Sequence, residues 1–311
     1  MKLLSLMIAA GALLPAADLR IGIIGTDTSH VGAFTAMLND PANKNHIPGA
    51  RVVAAFKGGS ADLESSSSRV DKYAGEISAK FGVEIVPTIA ELLTKVDAIL
   101  LESVDGRKHL PQFREIMKAG KPIFIDKPLA STYADALEIA RLGRENNTRW
   151  FSASSLRFTG GIPALKQPGI RGAVVWGPGP AEKTHQLDLS WYGIHSVEIL
   201  YALLGRGCVE VTRVSGANGD SVTGRWSDGR LGTVVLDNDY ASFGATTFAK
   251  RKSLVSSAEF NTGYQDLVVA IIKFFQGGPS PVDEKETLEM FAFMDAAQRS
   301  KESGGKPAPL K

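Results

Sequence analysis

Short, continuously apolar runs alternate with amphipathic segments along residues 19–154. The runs have the length and unbroken hydrophobicity of strands that are buried on both faces of a parallel sheet. They occupy residues 19–25, 51–56, 84–86, 96–101, 122–125 and 150–151. Apolar positions with helical spacing occupy residues 31–38, 72–81, 110–119 and 132–145. This alternation predicts right-handed βαβ crossovers and a doubly wound parallel sheet.

Local signals mark some boundaries between these elements. Thr88 with Glu91 has the spacing of a capping box, and Gly120 is placed to end a helix. The polar stretch from residue 57 to 68, rich in glycine and serine, predicts a mobile surface loop.

The second half of the chain has a different periodicity. A helix is expected first, and after it short runs alternate apolar and polar residues, as half-buried strands do. The helices are expected at 187–204, 265–275 and 284–303, the strands at 209–214, 221–226 and 232–236, and a hairpin turn at 227–230. We therefore expect a Rossmann-type domain over residues 18–154. An α+β domain with an open, mostly antiparallel sheet follows over 155–311, for substrate binding and oligomerisation.

Residues 1–17 resemble a secretory signal peptide. Lys2 precedes an apolar stretch from Leu3 to Leu14, and small residues follow it. The stretch is shorter than a membrane-spanning helix, and no later segment is long and apolar enough to span a bilayer. The pattern predicts a periplasmic or secreted protein. The alternative is an N-terminal extension that packs on the first domain of a cytoplasmic protein.

Composition narrows the function classes. The 311 residues carry 35 basic and 33 acidic side chains, a net charge of +2, without a long basic run. This balance argues against nucleic acid as a partner. Cys208 is the single cysteine, which excludes intramolecular disulfides and cysteine zinc sites.

The order of several motifs resembles one enzyme family. These motifs are Ile21-Gly22-Ile23-Ile24-Gly25, Val96-Asp97-Ala98-Ile99-Leu100, His109, Ala119-Gly120-Lys121, Asp126-Lys127-Pro128, Gly193-Ile194-His195 and Trp226-Ser227-Asp228-Gly229. Together they resemble the glucose–fructose oxidoreductase and inositol dehydrogenase family, Gfo/Idh/MocA. The resemblance implies NAD or NADP in the first domain, a sugar or cyclitol substrate, hydride transfer, and a homo-oligomer.

The resemblance also assigns roles to residues. Lys127 matches the family's catalytic lysine, and an ammonium there can stabilise a developing alkoxide. His195 matches the histidine that takes the hydroxyl proton, which suits an imidazole. The residues expected at the cofactor are Gly25, Thr26, Asp27, His30, Lys57, Glu102, His109 and Asp126.

The chain departs from the family at its phosphate-binding loop. Asp27 and His30 replace the second and third glycines of the Gly-x-Gly-x-x-Gly fingerprint. Lys57 stands near the place of the ribose-binding acid, which indicates either a preference for NADP or a solvated lysine. Trp191 replaces an aspartate four residues before His195, and Glu198 is the acidic residue three positions beyond it.

A non-redox function is the main alternative. Asp27, His30, Glu102 and His195 are residue types that ligate zinc or manganese. Asp105, Asp126, His185 and Asp188 are further candidates for the same cleft. A metal there would indicate an isomerase, lyase or hydrolase of sugars. The purely structural interpretation is that Asp27 caps a helix and His185 lies at the surface. A non-catalytic sugar-binding protein is a third class, against which the retention of Lys127 and His195 argues.

Overall fold

The computed structural model describes residues 17–239, 242–255, 260 and 263–311. The segment interpreted as a signal peptide lies, except for Ala17, outside the described residues. The described chain forms two β-sheets of six and seven strands, flanked by helices. This architecture confirms the expected α/β fold class.

The first sheet is wholly parallel and has the strand order β3-β2-β1-β4-β5-β6. Its strands are β1 Leu19–Ile24, β2 Ala50–Phe56, β3 Glu84–Val86, β4 Ala98–Leu101, β5 Ile123–Asp126 and β6 Trp150–Ala153. Strand order reverses between β1 and β4, both of which pair in parallel. In doubly wound sheets, ligands bind beyond the carboxyl ends of the strands at such a switch point.

Six helices connect these strands: α1 Ser29–Asn39, α2 Glu64–Ser67, α3 Val70–Phe81, α4 Ile89–Lys95, α5 His109–Ile116 and α6 Tyr133–Glu145. Three of them begin at a threonine whose hydroxyl accepts a backbone N–H, namely Thr28, Thr88 and Thr132. The cap at Thr88 confirms the sequence prediction. Gly120 adopts φ 67° and ends the turn after α5, also as expected.

The second sheet is mixed and has the order β12-β11-β7-β10-β9-β8-β13. Its strands are β7 Ile170–Pro178, β8 Cys208–Gly216, β9 Gly219–Trp226, β10 Leu231–Asp237, β11 Gly244–Ala249, β12 Lys252–Val255 and β13 Ala308–Pro309. Strands β7 and β10 run in parallel, and the remaining pairs are antiparallel. The helix expected over 187–204 is shorter, because a 3₁₀ turn at Asp188–Ser190 precedes it.

The remaining helices are α7 Gly161–Leu165, α8 Ile194–Leu204, α9 Gln265–Phe275 and α10 Glu284–Glu302. Helices α8 and α10 pack against the second sheet, whereas the apolar face of α9 joins the core of the first. A part of the chain expected in the second domain therefore lies on the first. Among the described residues, every helix is too short or too polar to cross a bilayer.

Candidate functional site

A cavity of about 460 Å³ lies between the carboxyl edge of the first sheet and the second sheet. Its lining includes the start of α1, Lys127, and His195 at the start of α8. It also includes Arg69, Val104, Ser155, Leu156, Pro178, Trp191, Tyr192, Ser242, Phe243, Phe260 and Tyr264. A groove of about 1170 Å³ along the second sheet is larger, but no strand of the first sheet ends there. The cavity between the sheets is therefore the candidate active site.

Lys127 directly follows β5, so the end of that strand delivers its ammonium to the cavity. Its Nζ lies 6.0 Å from the centre of the Tyr192 ring. Burial lowers the pKa of Lys127, and the nearby Asp126 carboxylate partly opposes that shift. The amino group of Lys127 can donate hydrogen bonds to a ligand oxygen in the cavity.

His195 is oriented by a serine that sequence analysis missed. The His195 Nδ1 atom lies 2.6 Å from the hydroxyl oxygen of Ser154, the residue after β6. Burial, together with electrostatic effects of the nearby Lys127 and His30, holds the pKa of His195 well below its usual range. The imidazole is therefore neutral at physiological pH, and Nε2 is the nitrogen left for the cavity. The position of Ser154 directly after a strand was the signal that could have identified it.

Glu198 holds the backbone segment that carries Ser154 and Arg157. One carboxylate oxygen accepts the backbone N–H of Ser154 at 3.3 Å, and the other accepts Arg157 Nε at 2.5 Å. Arg157 also pairs with Glu286 at 2.6 Å. Glu198 thus does not contact His195 directly but fixes the segment that carries its serine partner.

His30 pairs with Asp126 across the top of the sheet, with 2.6 Å between Nδ1 and Oδ2. Burial would raise the pKa of Asp126, but His30 and Lys127 outweigh it and the pKa is lowered. The imidazole also stacks on Phe34 at 5.3 Å and contacts the Tyr264 ring at 4.6 Å. His30 therefore forms one wall of the cavity.

In the phosphate-binding loop, Gly25 keeps the first glycine of the fingerprint, whereas Asp27 occupies the position of the second. Gly25 has φ +93°, and a Cβ there would lie 2.4 Å from the backbone nitrogen of Ser103. Asp27 is fully buried: Oδ1 accepts the Val104 N–H at 3.0 Å, and Oδ2 accepts the Ser66 hydroxyl at 2.5 Å. The side chain of Asp27 thus bridges the ends of β1 and β4, where a second glycine would leave space.

The stretch expected to be a mobile surface loop instead crosses this crevice. We call residues 58–69 the crossing segment. Within it Ser60 and Ser66 are buried, and the Ser60 hydroxyl donates to Asp105 Oδ2 at 2.6 Å. Arg107 binds the same Asp105 carboxylate at 2.7 Å and pairs with Asp62 at 2.8 Å. The surface part of the prediction holds for exposed residues such as Lys57 and Ser67. It was wrong for Ser60 and Ser66, whose side chains find partners far along the chain.

Glu102 directly follows β4 and has an unusual environment. Its side chain is fully buried, and neither carboxylate oxygen has a hydrogen-bond partner among the described residues. Burial, with Asp126 and Asp27 nearby, raises the pKa of Glu102 well above its usual range. It is therefore a neutral carboxylic acid at the floor of the crevice.

Three predicted cofactor residues, His109, Lys57 and Thr26, lie away from the cavity. Both ring nitrogens of His109 lie 2.8 Å from backbone carbonyls, those of Pro128 and Ser103, so this buried side chain ties two loops together. Lys57 lies at the surface and pairs with Asp71 at 2.8 Å. Thr26 also turns outward from the cavity, since its hydroxyl donates to the Val70 carbonyl at 2.8 Å.

The four candidate metal ligands are not arranged as one ligand group, although His30 and His195 line the same cavity. Asp27 is bound to Ser66, His30 to Asp126, and His195 to Ser154. Throughout the part of the chain that the structure describes, no group of three or more such side chains is arranged to hold a metal. His185, for which either the cleft or the surface was open from the sequence, is buried and accepts the Gly106 N–H at 3.3 Å.

Residues 19–154 match the model of an oxidoreductase family with an NAD-binding Rossmann fold, Gfo/Idh/MocA. Over this domain the chain is similar to the Gfo/Idh/MocA oxidoreductase family. The resemblance inferred from the motifs is thereby confirmed, and the expected cofactor class agrees with the family description. No curated protein matches the chain in sequence.

Solved structures share the whole fold at low identity. GenD2 from gentamicin A biosynthesis, in complex with NAD, is 13% identical with a TM-score of 0.76, over 99% of this chain and 100% of that one. Myo-inositol dehydrogenase from Lactobacillus casei, with NAD(H) and myo-inositol, is 16% identical with a TM-score of 0.73, over 94% and 97%. Scyllo-inositol dehydrogenase from Lactobacillus casei is 13% identical with a TM-score of 0.74, over 94% and 98%.

A nicotinamide dinucleotide fits one end of this crevice better than the other. At the cavity end, Lys127 and His195 present a proton donor and a neutral base beside open space. Gly25 and the start of α1 would hold phosphate, since backbone N–H groups at a helix N-terminus favour anions. At that phosphate end, however, the Asp27 carboxylate and the crossing segment take up the space.

Proposed function

We propose that the protein is an NAD(P)-dependent oxidoreductase that acts on a hydroxyl group of a sugar, a sugar derivative or a cyclitol. The observation that carries the proposal is that one cavity joins Lys127 and His195 at the switch point of a family-matched Rossmann domain. The solved structure with NAD(H) and myo-inositol supports this substrate class.

The two side chains divide the proton chemistry between them. The lysine ammonium donates a hydrogen bond to the reacting oxygen and stabilises negative charge that develops on it. The neutral imidazole of His195 accepts the hydroxyl proton at Nε2, since Nδ1 is engaged by Ser154. When bound, the dinucleotide supplies the acceptor for the hydride that leaves carbon.

The test is turnover of a panel of inositols, aldoses and sugar acids with NAD and NADP, followed at 340 nm. We expect Lys127→Met to lower kcat/KM by about 10³-fold or more, because proton transfer and charge stabilisation both depend on that ammonium. Lys121→Met is the matched control, since Lys121 binds the Val96 carbonyl away from the cavity. Unchanged turnover in Lys127→Met would contradict the assignment.

We also propose that the protein forms a homo-oligomer through the open face of its second sheet. Val214, Leu231, Val235, Phe248 and Val255 are exposed apolar side chains on strands β8, β10, β11 and β12 of this sheet. Contiguous apolar surface of this kind is typical of subunit interfaces. Light scattering of the protein and of Val235→Lys tests it, with a shift towards monomer expected for the variant.

Export to the periplasm or out of the cell is a further proposal, supported by the pattern of residues 1–17. Intact-mass measurement of the protein from the periplasmic fraction tests it. Loss of residues 1–17 is the expected result, and an uncleaved protein confined to the cytoplasm would contradict it.

A further inference from the structure

We propose that Asp27 and the crossing segment fill the phosphate end of the crevice and thereby set the affinity for a dinucleotide. We call the side chains that fill it the plug. The inference deepens the proposed function, because it rests on the use of NAD or NADP by this protein. The plug consists of Asp27, Ser60, Ser66 and Asp105.

Ser66 is the centre of the plug. Its hydroxyl accepts the Ser60 N–H at 2.7 Å and donates to Asp27 Oδ2 at 2.5 Å. The second link joins Ser60 to Asp105 at 2.6 Å, so the segment is held to the ends of both β1 and β4. Each of these four side chains is at most 2% exposed. The crevice is therefore closed by buried, partnered side chains and not by a loose loop.

The acidic side chain of Asp27 disfavours a phosphate at this end of the crevice, as the lack of space does. A dinucleotide brings two phosphate charges to the start of α1, and a glycine normally lets the backbone approach them. Here the acidic side chain of Asp27 lies on that side, and burial raises its pKa. The Asp105 carboxylate is paired with Arg107, and Glu102 adds no charge. A bound phosphate would have to displace Ser66 from Asp27 and tolerate the exposed carboxylate.

The four side chains of the plug do not line the cavity, although Arg69, at the end of the crossing segment, does. Lys127 and His195 do not contact Ser60, Ser66 or Asp27 through any hydrogen bond in the described part of the chain. Weakening the plug should therefore change cofactor affinity without altering the groups that carry the proton chemistry. This separation makes the inference testable by binding alone.

The experiment measures equilibrium binding of NADH and NADPH, by their fluorescence, to the intact protein and three variants. Asp27→Gly restores the family's glycine and removes the carboxylate, so we expect affinity to rise at least tenfold. Ser66→Ala opens the plug but keeps the charge, so a smaller gain is expected, with faster amide hydrogen exchange in residues 60–69. Ser67→Ala is the matched control, because Ser67 is exposed on the same short helix.

Equal or weaker binding by both Asp27→Gly and Ser66→Ala, in variants with native circular dichroism, would overturn the inference. Undetectable binding by the parent and by Asp27→Gly alike would overturn it too, because the plug would then not be what limits affinity. Neither outcome involves turnover, so a failure of the inference is distinguishable from a failure of the Lys127 assignment. If Asp27→Gly does not fold, Ser66→Ala alone decides, by its affinity and its exchange rates.

Discussion

Removing the hydroxyl of Ser154 should impair His195 as the base without removing any other group from the site. Ser154 Oγ accepts the Leu156 N–H at 3.2 Å and lies 2.6 Å from His195 Nδ1. A hydroxyl that already accepts one hydrogen bond can accept a second, from Nδ1–H, which leaves Nε2 unprotonated for the substrate. Ser154→Ala removes the group that favours this tautomer.

The size of the effect follows from the cost of a buried polar atom without a partner, about 1–3 kcal/mol. At 1.36 kcal/mol for each factor of ten, kcat should fall by roughly 5- to 150-fold. KM should change little, because Lys127 and the cavity walls remain. The pKa of His195, measured by NMR, should also move, which a purely structural role would not cause.

The assay is steady-state kinetics on the best substrate of the panel, with thermal unfolding measured alongside. Ser152→Ala is the control, since Ser152 is a buried serine on β6, two residues before Ser154, and makes no hydrogen bond to His195. A decrease in kcat below threefold for Ser154→Ala, with His195 titrating as before, would refute the proposed orientation of the base.

Three further predictions concern pH and charge. The pKa of His195 lies well below 6.5 and that of Lys127 below 10.5, so kcat/KM should be flat through neutral pH. It should fall in acid as His195 protonates, and fall in alkali at a lower pH than an ordinary lysine would cause. A profile with an acid limb centred above pH 6.5 would contradict this expectation. Burial would raise the pKa of Asp105, but Arg107 and Ser60 lower it to about 2, so its stabilisation is present above pH 4 and is lost as pH falls towards 2. Chemical unfolding should show a loss of roughly 2 kcal/mol over that interval, absent in Asp105→Asn. Arg69 and Lys127 line the cavity, and no described lining residue is a carboxylate, so sugar acids should have a lower KM than neutral sugars, and Arg69→Met should remove that difference.

The parallel strands and several helix caps could be predicted because their causes are local. A continuous apolar run such as Ile21–Ile24 can only be stable where both of its faces are covered. Thr88 and Gly120 act on backbone groups within a few residues of themselves. Lys127 and His195 were identified through the resemblance, and the cavity joins them.

The plug could not be predicted because it depends on contacts between distant residues. Asp27 and Ser66 are 39 positions apart, and Ser60 and Asp105 are 45 apart. A serine-rich polar stretch has the same composition whether it is solvated or folded over buried carboxylates. Strand β7 was missed for a local reason, because Gly172 and Gly177 interrupt its apolar residues and leave no clear alternation.

The most direct test of the central claim is the fate of the carbon-bound hydrogen. The protein is incubated with NAD, NADP and the panel's substrates deuterated at ring carbons, and the nicotinamide and the product are analysed by mass spectrometry. We expect one deuterium in the reduced nicotinamide and a product that has lost one deuterium from carbon and one hydrogen from oxygen. A product of unchanged oxidation state, with its deuterium lost to water and the nicotinamide still oxidised, would contradict it and indicate non-redox sugar chemistry.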